Sequence, residues 1–509
     1  MKKKSLRFKI IAVSASVAAV LILAVGIIFA VINSDDNFID LSCPKITLTT
    51  EKQIGETLEF SLNTGTAYID WGDGLPVKCD GGKMPYEYAY YGSPGTFYSG
   101  ELKGNTVKIY SVKNITHFNC MMQKLSSLDV SNCTALRNFV CDYNQITKLD
   151  VSNNTALEWL SCGYNSITEL DVSKNTALTK LFCYYNSLTE LDMSTNTAFT
   201  QLSCGHNSIT KLDVSKNIAL TELSCDWNSL NELDVSKNTD LIYLSCQENS
   251  LTELNVSNNT DLTGLSCGYN SLTELDISKN THLIYLSCQE NSLTGLNVSN
   301  NTDLTELSCD DNSLTELDVS NNTALTLLSC DDNSLTEVDM SKNTNLSWLS
   351  CNSNALTSLN VSDNTNLTCL FCHSNKLKEL NVSKNTSLTE LSCDDNSLTE
   401  LSVSNNTSLT DLYCLNNKLT ELDVSNNTSL TVLYCSDNRL TALDVSKNKI
   451  LEWLKCRNNK LTSLDVSNNT ELYLLDYRGN SNITKPDVSN NTKLEYLNRD
   501  FEGEDECCE

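Results

Sequence analysis

Proline and histidine are nearly missing from this chain, with five prolines and four histidines in 509 residues. So little proline leaves no material for a proline-rich stalk or stiff linker. The histidines, His117, His206, His282 and His373, stand far apart, and none belongs to an H-E-x-x-H pair. No G-x-S-x-G elbow, phosphate-cradling glycine loop or paired C-x-x-C zinc site occurs. The chain therefore reads as a non-enzyme with no cofactor and no metal. Cationic charge is also scarce: 36 Lys and Arg face 64 Asp and Glu, for a net charge of −28. That excludes nucleic acid or anionic lipid as the main partner, since both need a cationic surface. A basic or cation-mediated partner fits.

Cysteine, by contrast, is abundant and regular. Of 23 cysteines, seventeen recur every 21 residues from Cys120 and Cys141 to Cys456. Asparagine follows three residues after each of them from Asn144 to Asn459, with Gln123 in the first copy. Such a period is the signature of one supersecondary unit copied end to end. In the copy Leu304–Asn322, LTELSCDDNSLTELDVSNN, the apolar positions are Leu304, Leu307, Cys309, Leu314, Leu317 and Val319. Leu307 and Cys309 alternate with Ser308 and Asp310, which predicts a short strand with the first pair inward and the second outward. Leu317-Asp318-Val319 predicts a second extended segment on the opposite wall. The asparagines suit turns, because their amides bond neighbouring backbone and tolerate unusual dihedrals. One copy alone buries too little to offset the entropy of ordering it, so stability has to be shared between stacked neighbours.

The pattern resembles the L-x-x-L-x-L-x-x-N-x-L unit of leucine-rich repeats, with cysteine in the last strand leucine's place. The resemblance covers residues 115–499 and is to bacterial leucine-rich-repeat surface proteins of internalin-like plan. It implies a repeat solenoid, a horseshoe or arc with a parallel β-sheet on one wall and short extended segments on the other. The repeat cysteines then form a core-filling stack of thiols. Cys369 and Cys372 have C-x-x-C spacing, but Cys372 is a repeat member and Cys369 an outward substitution, so both read as structural.

The chain organises into four parts. Residues 1–36 hold a basic flank and an uncharged apolar run, 10–32, which predicts a signal-anchor helix about 35 Å long. A second fate is open: removal as a signal peptide, with Ala24-Val25-Gly26 as the cutting point. Either way the remainder is exported to the cell surface or beyond. Residues 44–112 read as short strands, and Trp71-Gly72-Asp73-Gly74 resembles the turn of PKD-like, immunoglobulin-type modules. That resemblance implies a small β-sandwich that spaces the solenoid and covers its first coil; whether Cys43 and Cys79 in this part pair is left open by the sequence. Residues 113–499 form the solenoid, and 500–509 an acidic tail expected to be disordered.

Partner binding is expected on the variable outward positions of the sheet. Two residues after each cysteine the chain carries Tyr143, Tyr164, Tyr185, His206, Trp227 and Tyr269, with Tyr184 alongside. Aligned exposed aromatics are hot-spot chemistry for proteins and platforms for sugars. Further along, Asp310, Asp311, Asp331 and Asp332 form an acidic patch that reads as a solvated face without calcium-loop spacing. The leading reading is a non-enzymatic cell-surface recognition or adhesion protein with a protein partner. The alternatives are a structural display or spacer protein and a carbohydrate-binding accessory protein.

Overall fold

The computed structural model describes residues 30–32, 38–41, 43–83, 95–111 and 113–498. All regular secondary structure there is β. Residues 10–29 of the expected signal-anchor, the tail from 500 onward, and Cys507 and Cys508 lie outside the described residues. The end of the apolar run, Ala30–Ile32 (β1), is a strand paired antiparallel with Phe38–Asp40 (β2). Among the described residues no helix is long and apolar enough to cross a membrane. The chain divides into two compact units, 1–191 and 192–509.

The first unit continues with β3 (Ile46–Thr50), β4 (Thr57–Leu62), β5 (Thr66–Asp70), β6 (Val77–Asp80), β7 (Thr96–Glu101) and β8 (Thr106–Tyr110). β9 (His117–Asn119) and β10 (Leu125–Asp129) follow. One antiparallel sheet has the order β10-β3-β8-β5-β6. In the other, β4 pairs antiparallel with β7 and with β9. β9 also pairs in parallel with Asn138–Val140, the next coil's strand. Strand pairing thus runs straight across residues 112 and 113. Ring contacts do the same: Phe60 lies 6.2 Å from Phe118, which stacks on Phe139 at 5.8 Å.

The W-G-D-G turn has a local physical cause. Asp70 Oδ1 accepts the Gly72 and Gly74 N–H groups, each at 2.9 Å. Gly72 sits at φ +111°, and a Cβ there would lie 2.5 Å from the Gly104 backbone nitrogen. Only glycine fits. Gln123 takes the asparagine's place by joining module to solenoid: its Oε1 accepts Lys52 Nζ and Glu59 N–H, both at 2.8 Å. Cys43 and Cys79, whose pairing the sequence leaves open, are both free thiols. Cys79 instead points its Sγ at the Val77 carbonyl, 3.7 Å away.

In the second unit, three-residue strands from Gln201–Ser203 to Tyr496–Asn498 form a parallel ladder. Each strand pairs with the one 21 residues on, save the last pair, Leu474–Asp476 with Tyr496–Asn498, which is 22 apart. Glu306–Ser308, for example, lies in register with Leu327–Ser329. Leu304, Leu307, Cys309, Leu314 and Val319 are fully buried, and Leu317 nearly so. The inward set is as the alternation predicts. The segment Leu317–Val319, expected to be extended on the opposite wall, forms no strand. Coils are linked near it by single bonds such as Ser313 N–H to Leu293 O, 2.9 Å.

Two asparagine columns bind coil to coil. Asn312 Nδ2 donates to the carbonyls of Cys288, Cys309 and Asp310 at 3.1, 3.2 and 2.9 Å. Asn322, fully buried, donates to Val298 O and Asn301 O at 3.0 and 2.7 Å. The amides of the first column bond the Cys288 and Cys309 carbonyls. The carbonyls of Asp310, Val298 and Asn301 also accept the N–H groups of Glu290, Asn301 and Leu304, so there the amide adds a second bond.

The repeat cysteines are free and buried. Burial pushes their thiols up: to about 12 at Cys204 and Cys372, and well beyond the usual range at Cys309 and Cys330. Cys330 Sγ lies 3.5 Å from the Ser350 carbonyl of the next coil. They are neutral packing groups with a weak donor.

Candidate functional site: the sheet-and-turn face

The turn after each strand sets the face. The residue two after the cysteine has left-handed backbone in coil after coil: φ is 55° at Tyr143, 50° at Tyr164 and 51° at Tyr185. In the second unit it is 52° at His206, 51° at Trp227 and 55° at Tyr269. The asparagine that follows fixes this turn by bonding the two preceding carbonyls. The last coils fill the same position with Asp395, Asn416, Asp437, Asn458 and Gly479, residue types that this conformation favours. Tyrosine and tryptophan are costly there, so their presence calls for a cause other than the turn.

In the first unit the aromatics form a stack. Tyr143 and Tyr185 each lie 4.2 Å from Tyr164, at 12° and 10° between planes. Tyr184 meets Tyr164 edge-on at 5.6 Å. The ring of Tyr164 is thus covered on both faces by Tyr143 and Tyr185. Tyr184 is half-buried, its ring lying over Gly163, where an added Cβ would be 2.8 Å from Tyr184 Cζ. In the second unit His206 stacks on Trp227 at 5.1 Å and 12°. Trp227 is 47% exposed and Tyr269 42%.

The acidic patch divides by position. Asp311 and Asp332 are exposed in the left-handed turn. Asp310 and Asp331, read from the alternation as outward, are half-buried clamps between coils. Asp310 accepts Ser308 Oγ and Ser329 Oγ at 2.6 Å and Asp331 N–H at 2.8 Å. Asp331 repeats this with Ser350 Oγ and Asn352 N–H at 2.7 and 2.6 Å. A short side chain at the strand end bends along the ladder to the next coil's free N–H. Burial pushes Asp331 up, while burial, Glu290 and Asp332 do so for Asp311. Among the described residues no group of three or more His, Cys, Asp or Glu could hold a metal ion.

On the segment after the strand, the aspartates before the valine make turns. Asp318 Oδ1 accepts Ser320 N–H at 2.9 Å, and the serine's hydroxyl and N–H hold that carboxyl below its ordinary value. Beside them runs an open groove of about 2180 Å³, lined by Leu233, Leu254, Leu275, Glu232, Glu253 and Glu274 among others. No aromatic residue lines it.

Aromatics of the later coils were not anticipated. Trp348 is 5.0 Å from Phe371, and Tyr413 is 5.3 Å from Tyr434. They occupy the first and third strand positions, columns that carry their own signal one and three residues before the cysteine. Cys369, half-exposed, lies between Trp348 and Glu390 in the ladder.

Stacked 21-residue coils, a parallel strand ladder and asparagine-closed turns define a leucine-rich-repeat solenoid. The functional domain of InlJ from Listeria monocytogenes, which includes a cysteine ladder, is 42% identical, covering 63% of this chain and 72% of that one, with TM-score 0.61. YopM from Yersinia enterocolitica is 22% identical, covering 76% of this chain and 91% of that one, TM-score 0.55. A plant peptide hormone receptor, RGFR1 in complex with RGF2, is 19% identical, covering 73% and 76%, TM-score 0.59. No protein-family model and no curated protein matches the chain. The chain belongs, with InlJ, to the internalin-type leucine-rich-repeat proteins.

Proposed function

We propose that this protein is a non-enzymatic recognition or adhesion protein of the cell surface, which binds a protein partner through the sheet-and-turn face. The apolar run at 10–32 anchors it, with the solenoid outside the cell. The observation that carries this reading is the set of bulky aromatics, Tyr143, Tyr164, Tyr185, Trp227 and Tyr269, at positions whose backbone favours Gly, Asn or Asp. Strain kept at an exposed column points to a surface feature with a use. A protein partner is favoured over a glycan because the central ring of the stack, Tyr164, has both faces taken by Tyr143 and Tyr185 and so offers no open platform to a sugar.

The test is binding of the full chain to arrayed extracellular proteins and glycans, compared with a Tyr164→Asn/Tyr185→Asn/Trp227→Asn variant. Binding to a protein that the variant loses, with its circular dichroism unchanged, supports the reading. Retained binding overturns the assigned face. A chain that binds nothing on either array is a spacer.

A further inference from the structure

We propose that the sheet-and-turn face of the second unit, from Gln201 to Asp437, binds an extended polypeptide segment rich in lysine and arginine. This rests on the recognition reading above and names the partner's chemistry.

From Gln201 to Asp437 the charges are sorted by face. Four positions per coil look out from the ladder and its turn: the first and third strand residues and the two after the cysteine. From Gln201 to Asp437 none of these positions holds lysine or arginine. Glu222, Glu248, Glu290, Glu306, Glu390 and Asp411 occupy them instead, beyond the clamping aspartates. Within these coils the lysines, such as Lys216, Lys237 and Lys279, fall on the segment after the strand. In the coil beyond, Lys455 lies over the Tyr434 ring at 4.2 Å and Arg457 stands 3.8 Å from Asp437, so the cation-free face ends there. Carboxylates surround Tyr269 in the middle of this stretch: burial, Glu290 and Glu248 together raise its hydroxyl.

Between the carboxylates stand Trp227, Tyr243, Tyr269 and Trp348, each among the exposed large side chains. Carboxylates interleaved with open aromatic rings match an ammonium or guanidinium on a flexible stem, which takes an ion pair and a cation–π contact together. Spacing suits an extended chain. Glu248 and Glu290 are two coils apart, about 10 Å at strand spacing, or roughly three residues of extended polypeptide. The groove on the other segment is acidic too, but Lys211 lines it and no aromatic does. Charge and aromatic surface coincide only on the ladder side.

The test uses the full chain and a fluorescein-labelled peptide of repeating Lys-Gly-Ser, with Glu-Gly-Ser as control, read by anisotropy. The lysine peptide should bind, the glutamate peptide should not, and affinity should fall at least about tenfold between about 50 mM and about 500 mM salt. Glu248→Gln/Glu290→Gln/Glu306→Gln should weaken binding by about tenfold. Glu232→Gln/Glu253→Gln/Glu274→Gln, in the groove, should leave it unchanged. No binding, equal loss in both variants, or displacement of the peptide by calcium or spermidine at its own concentration would overturn the proposal. The array of the preceding section separates the two readings. A protein ligand lost on changing Tyr164, Tyr185 and Trp227 but kept in the Glu248 variant leaves recognition standing and removes the cationic partner. A blank array removes both.

Discussion

Asn312 is bonded to Cys288 of the preceding coil, its Nδ2 lying 3.1 Å from that residue's carbonyl oxygen. Its Oδ1 also accepts the Leu293 N–H at 2.9 Å. One side chain therefore closes its own turn and holds the coil before it. Asn312→Ala would leave the Leu293 N–H without a partner and take one of two bonds from each of the Cys288, Cys309 and Asp310 carbonyls, which keep Asn291, Asn333 and the Glu290 N–H. It should destabilise the second unit by about 1–3 kcal/mol. Because each coil leans on its neighbours, the urea transition should also broaden or split. An unshifted, single transition would show that water replaces the amide without loss.

The cysteine ladder has a chemical signature. Buried and neutral, the repeat thiols should resist alkylation in the native protein, since the thiolate is the reactive form. Site-resolved mass spectrometry after iodoacetamide should find Cys43, exposed, and Cys369, half-exposed, modified, and the repeat cysteines from Cys141 to Cys456 unmodified until denaturant is added. Cys309→Ala should cost about 1–2 kcal/mol through the small cavity it leaves. Native labelling of the repeat thiols at the rate of Cys43 would contradict a dry ladder.

How far the residues alone reveal this molecule depends on which interactions repeat. Inward Leu307 and Cys309 are legible because a period of two inside a period of 21 leaves them one face. Asp310 was not, because alternation tells which way a Cβ points and not that a carboxylate will bend to Ser329 of the next coil. The left-handed turn at Trp227 was within reach, since Asn416, Asp437, Asn458 and Gly479 mark the same column. Trp348 and Phe371 stand in strand columns that a reading confined to the turn passes over. The groove beside Leu254 follows from how coils stack, which no single repeat encodes.

Trp227 offers a way to separate binding from folding. At φ 51° tryptophan pays roughly 1 kcal/mol that asparagine largely avoids. Its stacking on His206 returns about 0.5–1.5 kcal/mol. Trp227→Asn should therefore shift the urea midpoint by no more than about 1 kcal/mol in either direction. A loss of several kcal/mol would mean the ring is part of the core and would weaken its place on a binding face.

Asp142 makes stability depend on pH in a direction that can be worked out. The residue is fully buried, and burial pushes its carboxyl up to about 6 from an ordinary 3.8, although Ser161 and Gly163 N–H pull it back. Asp394, also largely buried, reaches about 6 for the same reason. The folded state then holds a proton that the unfolded chain has released. The contribution of each group is fully present below pH 3.8 and is lost as pH rises through about 6. For Asp142 that loss is about 3 kcal/mol by pH 7. The turn aspartates such as Asp318 have depressed values, so their contribution is lost only as pH falls below the carboxylate range. An amide fits Asp142's position, because Asn352 holds the equivalent place and accepts His373 N–H at 2.9 Å. Asp142→Asn should therefore stabilise the first unit by about 1–3 kcal/mol at pH 7 and change little at pH 4, as read from urea midpoints. An equal shift at both pH values would mean that the carboxylate is already solvated, and the clamp between Ser161 and Gly163 would have to be open to water.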